Sequence, residues 1–380
     1  MSSGGPMGWV DPKKYLWLLG LFVPSFPFLA WGLAEATGSG FFWWSGPVFL
    51  FGLFPVLDQL IGKDAANPPD SAIAALEEQR YYRWCTYLYL PLQYAGLIAG
   101  CWLWAHGGLS VADKLGLALT LGAVGGIGIN TAHELGHKTE AHERRLAKVA
   151  LAQTAYGHFF IEHNRGHHRR VATPEDPASA RLGETFWHFF PRSVWGSLRS
   201  GWHLEKARLA RTGKGPWRAS NEVLNAWALT FALFGALLAG FGPEILPYLL
   251  IQAVFGFSLL EVVNYLEHYG LLRQRTASGR YERCAPRHSW NSNNVASNLL
   301  LYHLQRHSDH HANPTRRYQA LRHFDEAPEL PSGYATMIVL AYLPPLWRHV
   351  MDERVLAHYD GDLTRTNLHP SARARYGAAG

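Results

Sequence analysis

Three cysteines in 380 residues, with no CxxC among them, leave this chain without a disulfide framework. Charge is scarce as well: Asp, Glu, Lys and Arg make up 17% of the residues. The scarcity is uneven. Six stretches, about 15–34, 41–61, 85–105, 115–132, 223–241 and 245–266, are almost charge-free, with Asp58 and Glu261 as the exceptions. Crossing a hydrocarbon layer of ~30 Å takes roughly 17–25 mostly apolar residues, and all six qualify. A cleavable signal peptide fits the first stretch poorly, because its apolar run of about twenty residues exceeds the usual ~7–15.

On one side of such a bundle there is almost no positive charge. Of the 35 Lys and Arg, 34 fall before the first stretch, between the second and third, between the fourth and fifth, and after the sixth. By the positive-inside rule that side is cytoplasmic, and both termini lie on it. The basic excess is thereby accounted for, and no nucleic-acid partner is expected. The expected fold class is all-α: six transmembrane helices with a cytoplasmic helical cap. Residues 1–132 hold spans one to four, 133–222 the cap, 223–266 spans five and six, and 267–380 a cytoplasmic C-terminal region.

Prolines 24, 27, 47, 55, 91 and 247 interrupt the spans, which membrane helices tolerate. Trp43, Trp44, Trp102 and Trp104 mark the outer interface. Gly116, Gly122, Gly125, Gly126 and Gly128 allow close helix approach. The apolar run Gly333–Trp347 is too short to span and is expected to lie in the interface or cap the soluble region.

What the chain has in abundance is histidine. Nine of its 20 form three boxes and a satellite: HELGH at 133–137, HNRGHH at 163–168, HSDHH at 307–311, and His268. At 3.6 residues per turn, residues three and four apart share a helix face. His133 pairs with His137 in this way, and His163 with His167, with His168 beside them; His307, His310 and His311 combine both spacings. All nine fall on the cytoplasmic side. The other eleven stand singly and read as ordinary surface or core residues, with His288 and His303, near the third box, the candidates to support it.

Nine imidazoles are too many for one ion. HELGH also matches the HExxH of zinc proteases, with Glu134 activating water, but such a site needs only one further ligand. A metal transporter would place its ligands near the bilayer midplane rather than beyond the span ends. Imidazole alone does not name the metal. Two metals with four or five nitrogens each and open positions for dioxygen favour iron over zinc, which closes at four. Glu134, Glu162, Glu267 and Asp309, beside the boxes, are expected to orient the ligand rings.

The boxes resemble the eight-histidine pattern of membrane desaturases and hydroxylases. Within that superfamily HELGHK, EHNRGHH, LQRHSDHHA and NYLEHYGL (264–271) closely resemble the integral-membrane alkane 1-monooxygenases. The likeness runs from KKYLW at 13–17 through PVLDQLIGKDAANPP at 55–69 and HSWNSN at 288–293 to RRYQALRHF at 316–324.

The resemblance implies two non-haem irons on His133, His137, His163, His167, His168, His268, His307, His310 and His311. It implies hydroxylation of the terminal methyl of medium-chain n-alkanes, with O2 as co-substrate. Electrons would come from rubredoxin, reduced by an NAD(P)H-dependent rubredoxin reductase; lacking CxxC, the chain supplies no rubredoxin of its own. The expected location is the bacterial inner membrane, with alkane taken from the bilayer. A desaturase or related hydroxylase is the alternative within the superfamily.

An alkane has no polar handle, so an apolar tunnel must hold it by enclosure. The family likeness puts Leu50 and Phe54, one turn apart in the second span, on its wall. Electron-donor docking is expected at Arg169, Arg170, Arg316 and Arg317, with Arg306 and Arg322 nearby, because rubredoxins are usually acidic.

Overall fold

The computed structural model describes residues 9–376. Among these the chain is helical throughout, with four isolated β-bridges and no strand. Five helical stretches are long and apolar enough to cross a membrane. They are α1 (Leu16–Thr37), α2 (Gly40–Ile61), α4 (Val111–Gly136), α7 (Glu222–Phe241) and α8 (Pro243–His268).

The third expected span differs from the rest. Residues 85–105 are divided between a short helix, Arg80–Tyr87, and α3, Tyr89–His106. Gln93 and Tyr94 make α3 less apolar, and both turn inward: Gln93 donates to the Ala150 carbonyl and Tyr94 to that of Val149. The carbonyls that satisfy the amide and the phenol are more than fifty residues away in sequence, so run composition alone does not reveal them.

α4 is the centre of the bundle, and its glycines show why. A methyl at Gly122 would lie 2.9 Å from the Gln252 carbonyl, and one at Gly126 2.8 Å from that of Gly256, both on α8. On other faces Gly116 meets Trp44 of α2 and Gly128 meets Gln93 of α3. Small residues on several faces let backbones close in, so dispersion contacts accumulate where no hydrophobic drive between helices exists. Ser110 caps the start of α4 by accepting from Asp113 N.

At 26 residues, α4 and α8 are each about 39 Å long, beyond the ~30 Å hydrocarbon. The last turns of both helices carry site histidines, His133 in α4 and His268 in α8. α4 runs unbroken across the boundary expected at 132, so the first box continues an apolar helix.

The remaining elements pack around these helices. α5 (Ala141–Ala152) follows α4, and α6 (Phe186–Ala210) precedes α7, where Asn221 caps α7 by accepting from Val223 N and Leu224 N. α9 (His307–Ala312) carries the third box. The apolar run 333–347 forms α10 (Tyr334–Ala341) and the start of α11 (Pro344–His358). Tyr334, Met337 and Ala341 are buried while Leu343 and Leu346 are exposed, so the run packs one part into the core and leaves another bare.

Candidate metal centre

The three boxes and His268 converge, but not in the pairing their spacing suggests. Five histidines, His133, His137, His163, His168 and His310, form one cluster, and four, His167, His268, His307 and His311, form another. Within each cluster the candidate ligand atoms all lie within 4.8 Å of one another.

The second box explains the sorting. His163–His167 is a π-turn, in which the His168 amide donates to the His163 carbonyl five residues back. Residues five apart then share a face, and the Nε2 atoms of His163 and His168 are 3.1 Å apart. The regular helix expected here would have paired His163 with His167; instead His167 turns to the other cluster, 3.2 Å from His311. π-turns of this kind recur at functional sites. Gly166 leaves room for the Glu162–Arg170 ion pair, since a side chain there would collide with the Glu162 carboxylate and sit 2.6 Å from Arg170.

In the third box His307 and His311, one α-turn apart, stand 2.9 Å from each other, whereas His310 faces His168 at 3.1 Å. His268, the last residue of α8, lies 3.3 Å from His307. Two ligands at right angles around a metal, with bonds of about 2.1 Å, are about 3 Å apart. The nitrogens here already have that spacing. Nε2 of His133 and of His137 is buried without any hydrogen-bond partner.

Burial, and then the neighbouring imidazoles, push His163, His168, His307, His310 and His311 well below the usual histidine range. The rings are thus neutral, the form that binds metals. A set of nine converging imidazoles fits two metal ions, one with five ligands and one with four.

Of the four carboxylates expected to orient the rings, Glu267 alone reaches one. Its Oε2 is 3.2 Å from His307 Nε2, and its Oε1 accepts from the Tyr334 hydroxyl at 2.7 Å. Glu134 pairs with Lys138 at 3.0 Å, Glu162 with Arg170 at 2.7 Å and Asp309 with Arg316 at 2.7 Å. Each lies beside a box in sequence but on the helix side away from the clusters. His288 and His303 also turn elsewhere, His288 to Glu282 and His303 to the Tyr318 carbonyl.

The carboxylate that does orient a ligand is Asp176, which sequence reading missed. Its Oδ2 meets His167 Nδ1 at 2.9 Å and accepts from Ser179 at 2.6 Å. Burial opposes both charges, but their mutual attraction holds Asp176 down to about 2 and raises His167. The nine-residue interval crosses a proline-bounded turn, so no periodicity signals it. Asp176→Asn is expected to weaken metal retention at the four-histidine cluster roughly 10–100-fold, the usual effect of losing such a partner. Competition with a chelator measures it, and unchanged retention would reduce Asp176 to a loop anchor.

An apolar cavity opens against the clusters. Leu50 and Phe54 are both on its wall, and its inner end is formed by His133, His163, His307 and Glu267. It therefore touches both clusters. The space between its walls, counting its mouth, is about 670 Å³. Leu50 and Ile127 also line a smaller apolar space bounded by Phe22, Phe26 and Phe49. These two side chains are the partition between the rooms, and a π-turn, Phe49–Leu53, places Leu50 there.

The arginines expected to dock an electron donor are mostly committed internally. Arg170 holds Glu162 and Ser200, Arg316 holds Asp309, and Arg317 lies between Glu140 and Glu143. Arg306 is fully buried on the carbonyls of Ala66 and Leu321, and Arg322 pairs with Asp70. Arg317 and Arg322 find their acidic partners far off in sequence, whereas those of Arg170 and Arg316 lie beside or within the boxes. Arg169 alone of the six is exposed with no acidic partner among the described residues.

Residues 114–341 match the family model for fatty acid desaturases. The chain is 49% identical to an alkane 1-monooxygenase of Acinetobacter baylyi, over 99% of this chain and 93% of that protein. It is 48% identical to an alkane 1-monooxygenase of Pseudomonas putida, over 97% and 92%. A more distant relative, the hydroxylase component of a xylene/toluene monooxygenase of Pseudomonas putida, is 27% identical over 87% of each chain.

Proposed function

Because the chain belongs to the alkane 1-monooxygenases within the fatty acid desaturase family, it hydroxylates alkanes at a terminal carbon, and we propose that it does so with two irons held by the nine clustered histidines. The observation that carries this reading is the sorting of those residues into sets of five and four around an apolar cavity. His133, His137, His163, His168 and His310 would hold one iron, and His167, His268, His307 and His311 the other. When bound, the pair would supply the reduction of dioxygen and the oxidation of the C–H bond.

The protein's own part is placement. The cavity encloses the chain by shape, so that a terminal methyl lies against His133, His163 and His307, and its dry walls keep water from the oxidant. Asp176 fixes the ring and tautomer of His167. Glu267, held by Tyr334, is the carboxylate at the inner end of the cavity.

Several apolar helices suit the chain to a membrane, and alkanes concentrate there at about 0.8 kcal/mol per methylene. We take α3 as the sixth span, the histidine-bearing ends and both termini as cytoplasmic, and the bacterial inner membrane as the location. On this reading the domain boundaries of the sequence analysis mark where helices leave the bilayer. The substrates are medium-chain n-alkanes. The electron donor is rubredoxin, reduced by an NAD(P)H-dependent reductase and docking near Arg169.

Metal analysis of purified protein together with labelled dioxygen and octane tests the core of this. Close to two irons per chain and one labelled oxygen atom in 1-octanol are expected. One zinc with no iron overturns the assignment; an alkene without label points to a desaturase.

Arg169→Glu should raise the KM for rubredoxin and flatten its salt dependence while leaving the KM for alkane unchanged, because rim charges act on encounter. Arg316→Ala and Arg317→Ala should instead lower Tm, each leaving a buried carboxylate unpaired. An unchanged KM for rubredoxin in the Arg169 variant moves the docking site elsewhere.

A further inference from the structure

α6 belongs to the region assigned to the cytoplasmic cap, yet its surroundings are those of the spans. Its inward face repeats about every fourth residue, through Phe186, Phe189, Ser193, Ser197, Gly201, Glu205 and Leu209. On other faces Trp187 is 59% exposed and Trp195 61%, and Trp217, just beyond the helix, is 76% exposed. Trp187 donates to the Tyr342 carbonyl and Trp217 packs on Trp202, yet most of each of the three indoles faces outward, from which a soluble cap gains nothing.

The depth of α6 follows from two stacked pairs. Phe190 lies parallel to Phe257 of α8 at 6.0 Å, eleven residues before the histidine-bearing end of that helix, or about 16 Å along it. Trp202 lies parallel to Trp227, five residues into α7, at 6.3 Å. α6 thus runs beside portions of two spans.

Charge supplies a second, independent observation. From 186 to 221 the only acid is Glu205, which is held by Arg165 and Arg208, and Arg192 is taken by Glu184. Arg199, Lys206, Arg211, Lys214 and Arg218 have no acidic partner among the described residues. An apolar aromatic face joined to a basic edge is the pattern of a helix lying in the membrane interface.

We propose that α6 and the loop after it form a lipid-binding surface, with Trp187, Trp195 and Trp217 among the acyl chains and the five free cations on anionic headgroups. The inference rests on reading α7 and α8 as spans. An acidic soluble protein would match the charges alone; indoles at span depth favour lipid.

The test uses the full chain with Cys284→Ser, since Cys85 and Cys101 are buried. Spin labels are placed on Trp195→Cys, on Trp187→Cys as a second variant, on Arg211→Cys, and on Leu250→Cys of α8 as a marker of the bilayer. The samples are nanodiscs of phosphatidylcholine with or without phosphatidylglycerol. Labels at 187 and 195 should relax several-fold faster with oxygen than with a water-soluble nickel chelate, as at 250. The label at 211 should lose mobility when phosphatidylglycerol is added at low salt.

Nickel-accessible labels at 187 and 195 with a lipid-embedded label at 250 overturn the proposal while sparing the spans. Shielding of 195 from nickel only on adding an acidic carrier protein makes this a protein-docking face and also overturns it. A nickel-accessible label at 250 removes the membrane reading and this inference together.

Discussion

His268→Ala is expected to abolish alkane hydroxylation, to remove about one of the two irons, and to leave a folded, membrane-inserted protein. His268 ends α8 and is fully buried, with its Nε2 3.3 Å from His307. It belongs to the smaller cluster, where its loss leaves three nitrogens; the five-histidine cluster keeps its full set. Loss of a partner that merely orients a ligand costs roughly 10–100-fold in metal affinity or activity, and loss of a ligand itself should exceed that range. Packing of α8 on α4 is set at Gly122, Gly126 and Gly256, several turns away, so the helix pair should survive.

Iron content, turnover and thermal melting separate the possibilities, with His288→Ala as a neighbour that turns away from the clusters. Near-normal turnover with full iron in the His268 variant would take it out of the ligand set.

Leu50→Trp is expected to shorten the longest alkane hydroxylated while sparing the shortest good substrate. Leu50 is 4% exposed and stands with Ile127 between the room at the histidines and the smaller room bounded by Phe22, Phe26 and Phe49. A short chain fits in the inner room, whereas a longer one must pass the partition. Close-packed walls cannot absorb an indole without displacing something, at a cost of about 1–3 kcal/mol. Chains that need the second room should therefore lose turnover by about tenfold or more, and Leu50→Ala should shift the limit the other way. Product profiles across a length series decide it. An unaltered cutoff, or equal loss at every length, would take Leu50 off the substrate path.

Both expectations began in the sequence, and so did much of the site. Spacing alone marked the nine histidines, and of the six charge-free runs five form helices long and apolar enough to cross a membrane. These are local properties: apolar length and the residue types that bind metal can be read without knowing what packs against what. Family likeness pointed to Leu50 and Phe54 as tunnel residues, and both line the cavity beside the histidines.

Other features needed distant parts of the chain. Asp176 reaches His167 across a turn with no period, and Arg317 and Arg322 reach acids that adjacency to a box could not reveal. α3 can carry Gln93 and Tyr94 within an otherwise apolar run because carbonyls of α5 accept from both. The exposed indoles of α6 gain meaning only beside α7 and α8.

The sequence by itself determined which residues could bind metal and which segments could enter a membrane, because both follow from side-chain chemistry and run length. Tertiary structure decided which imidazole joins which cluster. An ideal α-turn would have kept His163 with His167. Packing of the second box between Glu162, Arg170 and α6 accommodates a π-turn that sends them apart, and hydrogen bonds five residues long are stable there only because the surrounding fold holds both ends.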